Sequence, residues 1–298
     1  MFYLERDSVA HCFNFEVVLK LYLAFLLLTI SLTCQAQVIK VLATSEQQIG
    51  SIDFFHHLLT RALDVSKDRY GEYQFEYRQF KFSQNRSLKM LENGELDVLH
   101  TMTNWDREKE YLAVKFPLVK GLMGHRLLVI NKKDEAVFNQ ISEIELANKI
   151  ACQGLHWPDS DILEANKFTV ARILSFEAMY ELVAKGRCDY FPRSILEIDS
   201  ELSRFSALYP ELTIAKQIML IYPAPVYFFV EKSNFALAKR LHDGLIQLEN
   251  SGEMEQILTK QPLTKSIFPL NKWKNARQIH LINPNLDGSI KSIIPTKH

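Results

Sequence analysis

The chain has 298 residues, with Lys+Arg and Asp+Glu both at 35, so its formal charge is zero. A chain this neutral has no global field to hold DNA or an acidic membrane, and its length of roughly two domains suffices for a sizeable core. Nucleic-acid binding and extensive disorder are therefore excluded as readings. So is a polytopic membrane protein, because the 47% of apolar residues are spread out except for one block near the start.

That block runs Leu21-Tyr22-Leu23-Ala24-Phe25-Leu26-Leu27-Leu28-Thr29-Ile30-Ser31-Leu32 after Lys20, and Thr33-Cys34-Gln35-Ala36 then places small residues where a signal peptidase needs them. Residues 1–36 read as a secretory signal cleaved after Ala36. An uncleaved anchor is the alternative, but the apolar stretch falls short of the roughly 20 residues that span a bilayer. The acidic segment Met1–Glu16 is unlike a short basic leader start, and translation from near Val18 would give an ordinary one. Ser31-Leu32-Thr33 before Cys34 matches a lipoprotein signal poorly. With the leader go Arg6 and Lys20 against Glu5, Asp7 and Glu16, which takes 35 and 35 to 33 basic and 32 acidic residues. The exported chain keeps only Cys152 and Cys188; an oxidising compartment invites a disulfide between them, while their apolar strand-like surroundings equally suit buried thiols.

In chain order, Val38–Thr44 predicts a strand and Phe54–Leu63 a helix. Tyr73–Arg78 predicts a second strand, whose Phe75/Tyr77 alternation reads as core packing. A helix over Leu88–Asn93 is stopped by Gly94, and a third strand follows over Leu96–His100. Arg126–Ile130 reads as an extended crossing segment. The same grammar then restarts: strand at Lys149–Cys152, helix at Ile162–Ala165, strand at Phe168–Val170, helix over Glu177–Lys185 stopped by Gly186, strand at Cys188–Phe191. Val226–Val230 reads as the return crossing, and Phe235–Leu248 and Glu253–Leu258 as amphipathic helices on either side of Gly252. The expected architecture is α/β: two α/β lobes joined by a two-strand hinge. The first lobe takes residues 37–125 and 226–262, the second 126–225, and residues 263–298 form a tail packed on a lobe or partly loose.

Met90-Leu91-Glu92-Asn93-Gly94-Glu95-Leu96-Asp97-Val98, then Thr103-Asn104-Trp105-Asp106-Arg107-Glu108 and Phe116-Pro117-Leu118, carry a resemblance. Gly186-Arg187-Cys188-Asp189 repeats the helix-Gly-x-x-Asp signature, and Leu248-Glu249-Asn250-Ser251-Gly252-Glu253 matches a closing helix pair. Over residues 38–262 the chain resembles the periplasmic solute-binding proteins of ABC importers, in the family that includes polar amino-acid binders, with a type II bilobal fold. The resemblance implies lobe closure on a small ligand, read by an inner-membrane permease or receptor. It also places a ligand carboxylate on Arg107, since a planar guanidinium suits a carboxylate. Relatives hold the ligand ammonium with an aspartate just after the second-lobe strand, whereas Asp189-Tyr190-Phe191-Pro192-Arg193-Ser194 puts Arg193 or Ser194 there. The expected ligand is therefore a carboxylate-bearing solute other than an ordinary α-amino acid.

Further pocket candidates sit where strands end and helices begin. They are Thr44, Ser45 and Glu46, then Thr101 and Thr103, and the turn Gly154-Leu155-His156-Trp157-Pro158-Asp159-Ser160, with Trp105 and Trp157 as stacking surfaces. Each has a bland counterpart. Arg107 could pair on the surface with Asp106 or Glu110, Arg193 could brace the hinge, Trp157 could anchor a lobe core, and Asp159 or Ser160 could cap a helix. Catalytic and metal signals are poor: the nine histidines show no ligand spacing, and there is no nucleophile elbow, Cys-x-x-Cys or phosphate loop. No cofactor and no metal are expected, and the expected state is a monomer. The leading reading is a periplasmic binding protein and not an enzyme. Its rivals are a sensor module for a membrane receptor and a dehydratase-like enzyme using Glu46 and Asp159.

Overall fold

The computed structural model describes residues 36–43, 49–79 and 84–286. The first lobe opens with β1 (Gln37–Leu42), α1 (Ile49–Val65), a short α2 (Lys67–Tyr70) and β2 (Tyr73–Arg78). β1 and β2 pair in parallel, Gln37 opposite Tyr73 and Leu42 opposite Arg78. α1 buries Phe54, Phe55, Leu58, Leu59, Ala62 and Leu63, a stripe at helical spacing that faces the core. Then come α3 (Gln84–Glu92), β3 (Leu99–Met102), α4 (Trp105–Glu110) and β4 (Leu112–Val114). Tyr77 is 53% exposed, which corrects the core reading of its alternation with Phe75. β2 is the outer strand of a two-stranded sheet, so one of its faces meets water.

The second lobe holds β5 (His125–Asn131), α5 (Glu135–Gln140), α6 (Glu143–Asn148), β6 (Ala151–Gly154), α7 (Pro158–Ala165), β7 (Val170–Ile173), α8 (Phe176–Ala184), β8 (Tyr190–Ser194), α9 (Ile198–Phe205) and β9 (Leu212–Ile221). β10 (Val226–Val230) returns to the first lobe, where it pairs antiparallel with β3 on one side and β4 on the other. Arg126–Ile130 and Val226–Val230 are therefore strands inside the two sheets and not crossings. Runs of five residues buried on both faces are what a central strand requires. The crossings are the segments just before them, through the 3-10 turn Leu122–Gly124 and through residues 222–225. They touch each other: Tyr222 N donates to Gly124 O at 3.1 Å, and a Cβ on Gly124 would meet Tyr222 O at 1.9 Å. Only glycine fits there.

After β10, α10 (Phe235–Asn250) packs on α1 and is followed by α11 (Glu253–Lys260) and α12 (Pro262–Lys265). Gly244 permits the α1–α10 crossing, since a Cβ there would meet Ala62 O at 2.0 Å. The chain then returns to the second lobe, where β11 (Arg277–His280) runs parallel to β9 and completes the order β11-β9-β5-β8-β6-β7. No helix among the described residues is long and apolar enough to cross a membrane.

The two helix-Gly-x-x-Asp signatures build the same turn in each lobe. Gly94 and Gly186 both close their helices at φ +67°. Asp97 then donates its N–H to Lys40 O at 2.9 Å and accepts from Lys40 N at 2.7 Å; Asp189 does the same with Ile150, at 2.9 and 2.7 Å. Because these aspartates pin the turn to the neighbouring strand, β3 and β8 start later than the sequence pattern suggests, at Leu99 and Tyr190. In the second lobe the turn is also covalently fixed, by a Cys152–Cys188 disulfide with a Cα–Cα distance of 5.6 Å. The corresponding places in the first lobe hold Leu42 and Leu96, which belong to one apolar cluster.

Candidate functional site

The first lobe contributes the corner between β3 and α4. Asn104 caps α4 by accepting from Arg107 N at 2.9 Å, which fixes where the Arg107 side chain leaves the helix. Its guanidinium is buried, at 5% exposure, and turns back under β3. Nη1 donates to Thr101 Oγ1 at 2.8 Å and to Met102 O at 2.6 Å, and Nη2 to Gln84 Oε1 at 3.0 Å. Nη2 also reaches His156 O, on the other lobe, at 3.4 Å. All four acceptors are neutral, so among the described residues no carboxylate touches this charge. Burial pulls the Arg107 pKa down to about 10 against the more distant fields of Asp159 and Asp161, the expected sign for a cation desolvated without a counter-ion. The surface pairing with Asp106 or Glu110 is not formed.

Around this arginine, Thr103 is buried, donates Oγ1–H to Glu108 at 2.7 Å and donates its N–H to Pro225 O at 2.9 Å, which ties the site to the crossing. Trp105 is 56% exposed at the first position of α4. Thr44, Ser45 and Glu46 lie outside the described residues.

The second lobe contributes the corner between β6 and α7. Trp157 folds its ring over Gly154, where a Cβ would lie 2.3 Å from the indole, and it also approaches Phe176 and Phe191. Gly154 thus makes room for the chain's own tryptophan, which anchors the lobe core. Asp159 and Ser160 do not cap α7: Pro158 begins the helix, so Trp157 holds the cap position without a side-chain bond. Ser160 instead donates to Gly154 O at 2.7 Å. Asp159 is buried, and its Oδ1 accepts from Arg126 Nη2 at 2.7 Å and Tyr222 Oη at 2.6 Å. Arg126 leaves its Nε buried without a partner.

Arg193 lies beneath, buried in the second lobe. It donates to Glu201 through Nε at 2.7 Å and Nη2 at 2.5 Å, and to Glu197 at 2.9 Å. Its guanidinium carbon lies 5.1 Å from the Trp157 ring centroid, 5.2 Å from Phe191 and 5.4 Å from Phe176. Burial alone would lower its pKa, but Glu197 and Glu201 hold it well above the usual value. Ser194 is buried beside it and accepts from Leu196 N at 3.2 Å. Both side chains are engaged inside the lobe, Arg193 by Glu197 and Glu201 and Ser194 by the Leu196 N–H. Sequence reasoning passed over Arg126, Tyr222 and Gln84. Arg126 was the detectable one: a charge heading an otherwise apolar strand must find a buried partner. Among the described residues, no group of three or more His, Cys, Asp or Glu is placed to hold a metal ion.

No known family model matches the chain, and no curated protein matches it. Solved structures do. The periplasmic VFT2 domain of Bordetella pertussis BvgS matches with a TM-score of 0.57 at 17% identity, covering 75% of this chain and 93% of that one. An ancestral arginine-binding protein bound to arginine matches at 0.55 and 15% identity, covering 76% and 98%. The GluR0 ligand-binding core from Nostoc punctiforme, in complex with L-glutamate, matches at 0.52 and 12% identity, covering 76% and 98%. The fold is that of the bilobal periplasmic binding proteins. In this binding-protein fold, Arg107 and His156 face each other where the lobes meet, and the Arg126–Asp159–Tyr222 cluster sits just behind the second lobe's side of that junction.

Proposed function

We propose that this protein is a periplasmic binding protein that captures a small, polar, carboxylate-bearing solute between its two lobes, with Arg107 as the anchor. The observation that carries this reading is the buried Arg107 guanidinium, whose acceptors among the described residues at the lobe junction are all neutral. A cation in that setting gains most from an anion, and a guanidinium fork matches a carboxylate. A carboxylate entering between the lobes would replace the Gln84 and His156 contacts, while Thr101 and Met102 keep the fork oriented. Closure then stabilises the bound state, because contacts from both lobes exist only in the closed form. Residues 37–125 and 226–262 form one lobe and 126–225 the other in this reading, after a leader of residues 1–36 is removed at export. The solute is handed to an inner-membrane permease of ABC type. The likeness to arginine- and glutamate-bound proteins of this fold supports a small ligand bearing a carboxylate.

A second reading is a sensor module that reports occupancy to a membrane receptor, because lobe closure is a shape change that a receptor can read as well as a permease. Both readings share the binding step, and the membrane protein that co-purifies with the occupied form separates them. An enzyme reading draws less support: Asp159 is engaged by Arg126 and Tyr222, so it is built into the lobe and not poised toward a substrate. The test is a thermal-shift screen against amino acids, dicarboxylates, aromatic acids and sugars, since a ligand that binds only the native state raises its melting point by mass action. A shift with a carboxylate is expected; shifts with sugars alone would overturn the Arg107 anchor.

A further inference from the structure

The tail beyond α12 does more than add a strand. β11 carries the chain along the edge of β9 until His280 lies opposite Ile221, and Leu281 N extends the pairing by donating to Ile221 O at 2.8 Å. The next residue is clasped from two sides by the amide of Asn166, at the end of α7: Asn166 Nδ2 donates to Ile282 O at 2.7 Å and Ile282 N donates to Asn166 Oδ1 at 3.0 Å. Asn283, only 8% exposed, then donates to Pro223 O, in the crossing itself, at 2.8 Å. Its Oδ1 accepts from Asn285 N at 2.9 Å, which turns the chain toward the first lobe. There Asn285 O accepts from Trp105 N at 3.1 Å.

That last contact has a specific character. Trp105 is the first residue of α4, so its N–H has no acceptor within its own helix, and the tail supplies one. Two residues on, the same helix carries Arg107. Within ten residues the tail thus holds the second sheet's edge, the end of α7, the crossing and the first-lobe helix that presents the buried arginine. We infer that residues 277–286 are a strap that holds the two lobes together in the closed arrangement, in addition to the two crossings, and that it acts on α4. Opening the lobes by moving α4 away from α7 requires breaking either the Trp105–Asn285 contact or the Asn166 clasp of Ile282. The strap's release therefore governs how readily the junction opens. This rests on the described contacts and not on the solute reading, since the strap would act whether or not a solute binds.

The test uses protein expressed from its full coding sequence and compares it with the double variant Asn166→Ala, Asn283→Ala. Amide hydrogen exchange is read at Trp105 and Leu281, with Val129 in the middle of β5 as the internal control, and the radius of gyration is measured by small-angle X-ray scattering. The variant is expected to exchange at Trp105 and Leu281 roughly tenfold faster, as loss of neutral hydrogen bonds allows, with Val129 unchanged and a larger radius of gyration. Unchanged exchange at Trp105 would overturn the strap. Faster exchange at Trp105 with an unchanged radius would overturn its role in holding the lobes closed. If the double variant does not fold, a chain ending at His280 keeps the β11–β9 pairing and removes the contacts of residues 281–285 with Ile221, Asn166, Pro223 and Trp105. Scattering and Trp105 exchange on that chain decide the matter by the same criteria.

Discussion

Arg107, on α4 of the first lobe, and Arg193, on β8 of the second, are both buried guanidiniums, yet their surroundings differ in charge. Arg193 meets two carboxylates and three aromatic faces, so its charge is neutralised inside the lobe. Among the described residues Arg107 meets a hydroxyl, an amide oxygen and two backbone carbonyls, which hydrogen-bond its charge without neutralising it. The first arrangement is what a structural ion cluster looks like and the second is what an anion site looks like, although the two residues are indistinguishable by burial.

Removing Arg193 gives the largest expected effect. Arg193→Met leaves the partly buried Glu201 without its cation and Glu197 with only Arg126, 3.9 Å away, which costs about 3 kcal/mol, toward the low end for a broken buried pair, or a drop on the order of 10 °C in melting temperature. Restoring charge balance with Glu197→Gln and Glu201→Gln in the same chain should recover most of that loss in a thermal melt. A failure to recover would mean that Arg193 acts through packing and not through charge.

A pH titration distinguishes the lobes next. His100 on β3 stacks on Phe55 with ring centroids 4.0 Å apart, and burial lowers its pKa from 6.5 to about 4. The unfolded chain takes up the proton first, so this contribution is fully present above pH 6.5 and is lost as the pH falls toward 4. The loss amounts to about 3 kcal/mol at most. Pro192, three residues past Asp189 as His100 is past Asp97, cannot titrate, so acid should loosen β3 before β8. Hydrogen exchange at pH 5 should show faster opening in β3 than in β8, and His100→Gln should flatten this acid limb.

The smallest effect tests the shared turn. Gly94→Ala and Gly186→Ala each force a side chain into φ +67° and should each cost about 1 kcal/mol in denaturant unfolding. In both cases space is ample, with nothing within 4 Å of a Cβ at Gly94 and only the Lys133 Nζ at 3.6 Å at Gly186, so the penalty is conformational. A markedly larger loss at Gly186 would show that the disulfide beside it makes the second turn less able to adjust.

These turns were legible in the sequence because a glycine stopping a helix and an aspartate three residues later are local features, and the chain uses them twice. The α/β alternation was legible for the same reason. The crossings were not: Arg126–Ile130 and Val226–Val230 have the same apolar texture as any buried strand, and only long-range pairing reveals that they belong to the sheets. The pairing of Arg193 with Glu197 and Glu201 was not legible, because those partners lie at and inside the start of the following helix. The strap escaped notice because it works through backbone groups and three asparagines, and a tail rich in Asn and Pro reads as loose chain until its partners are known.

The most direct test of the central claim is to titrate a carboxylate that raises the melting point of the wild-type chain into Arg107→Ala and Arg193→Met by calorimetry, with a thermal melt of each variant alongside. The account predicts a split: Arg107→Ala melts close to wild type but binds at least roughly tenfold more weakly, as loss of a charged hydrogen-bonding partner implies, while the folded fraction of Arg193→Met melts far lower but keeps its affinity. Undiminished affinity in Arg107→Ala, or affinity lost only in Arg193→Met, would contradict it.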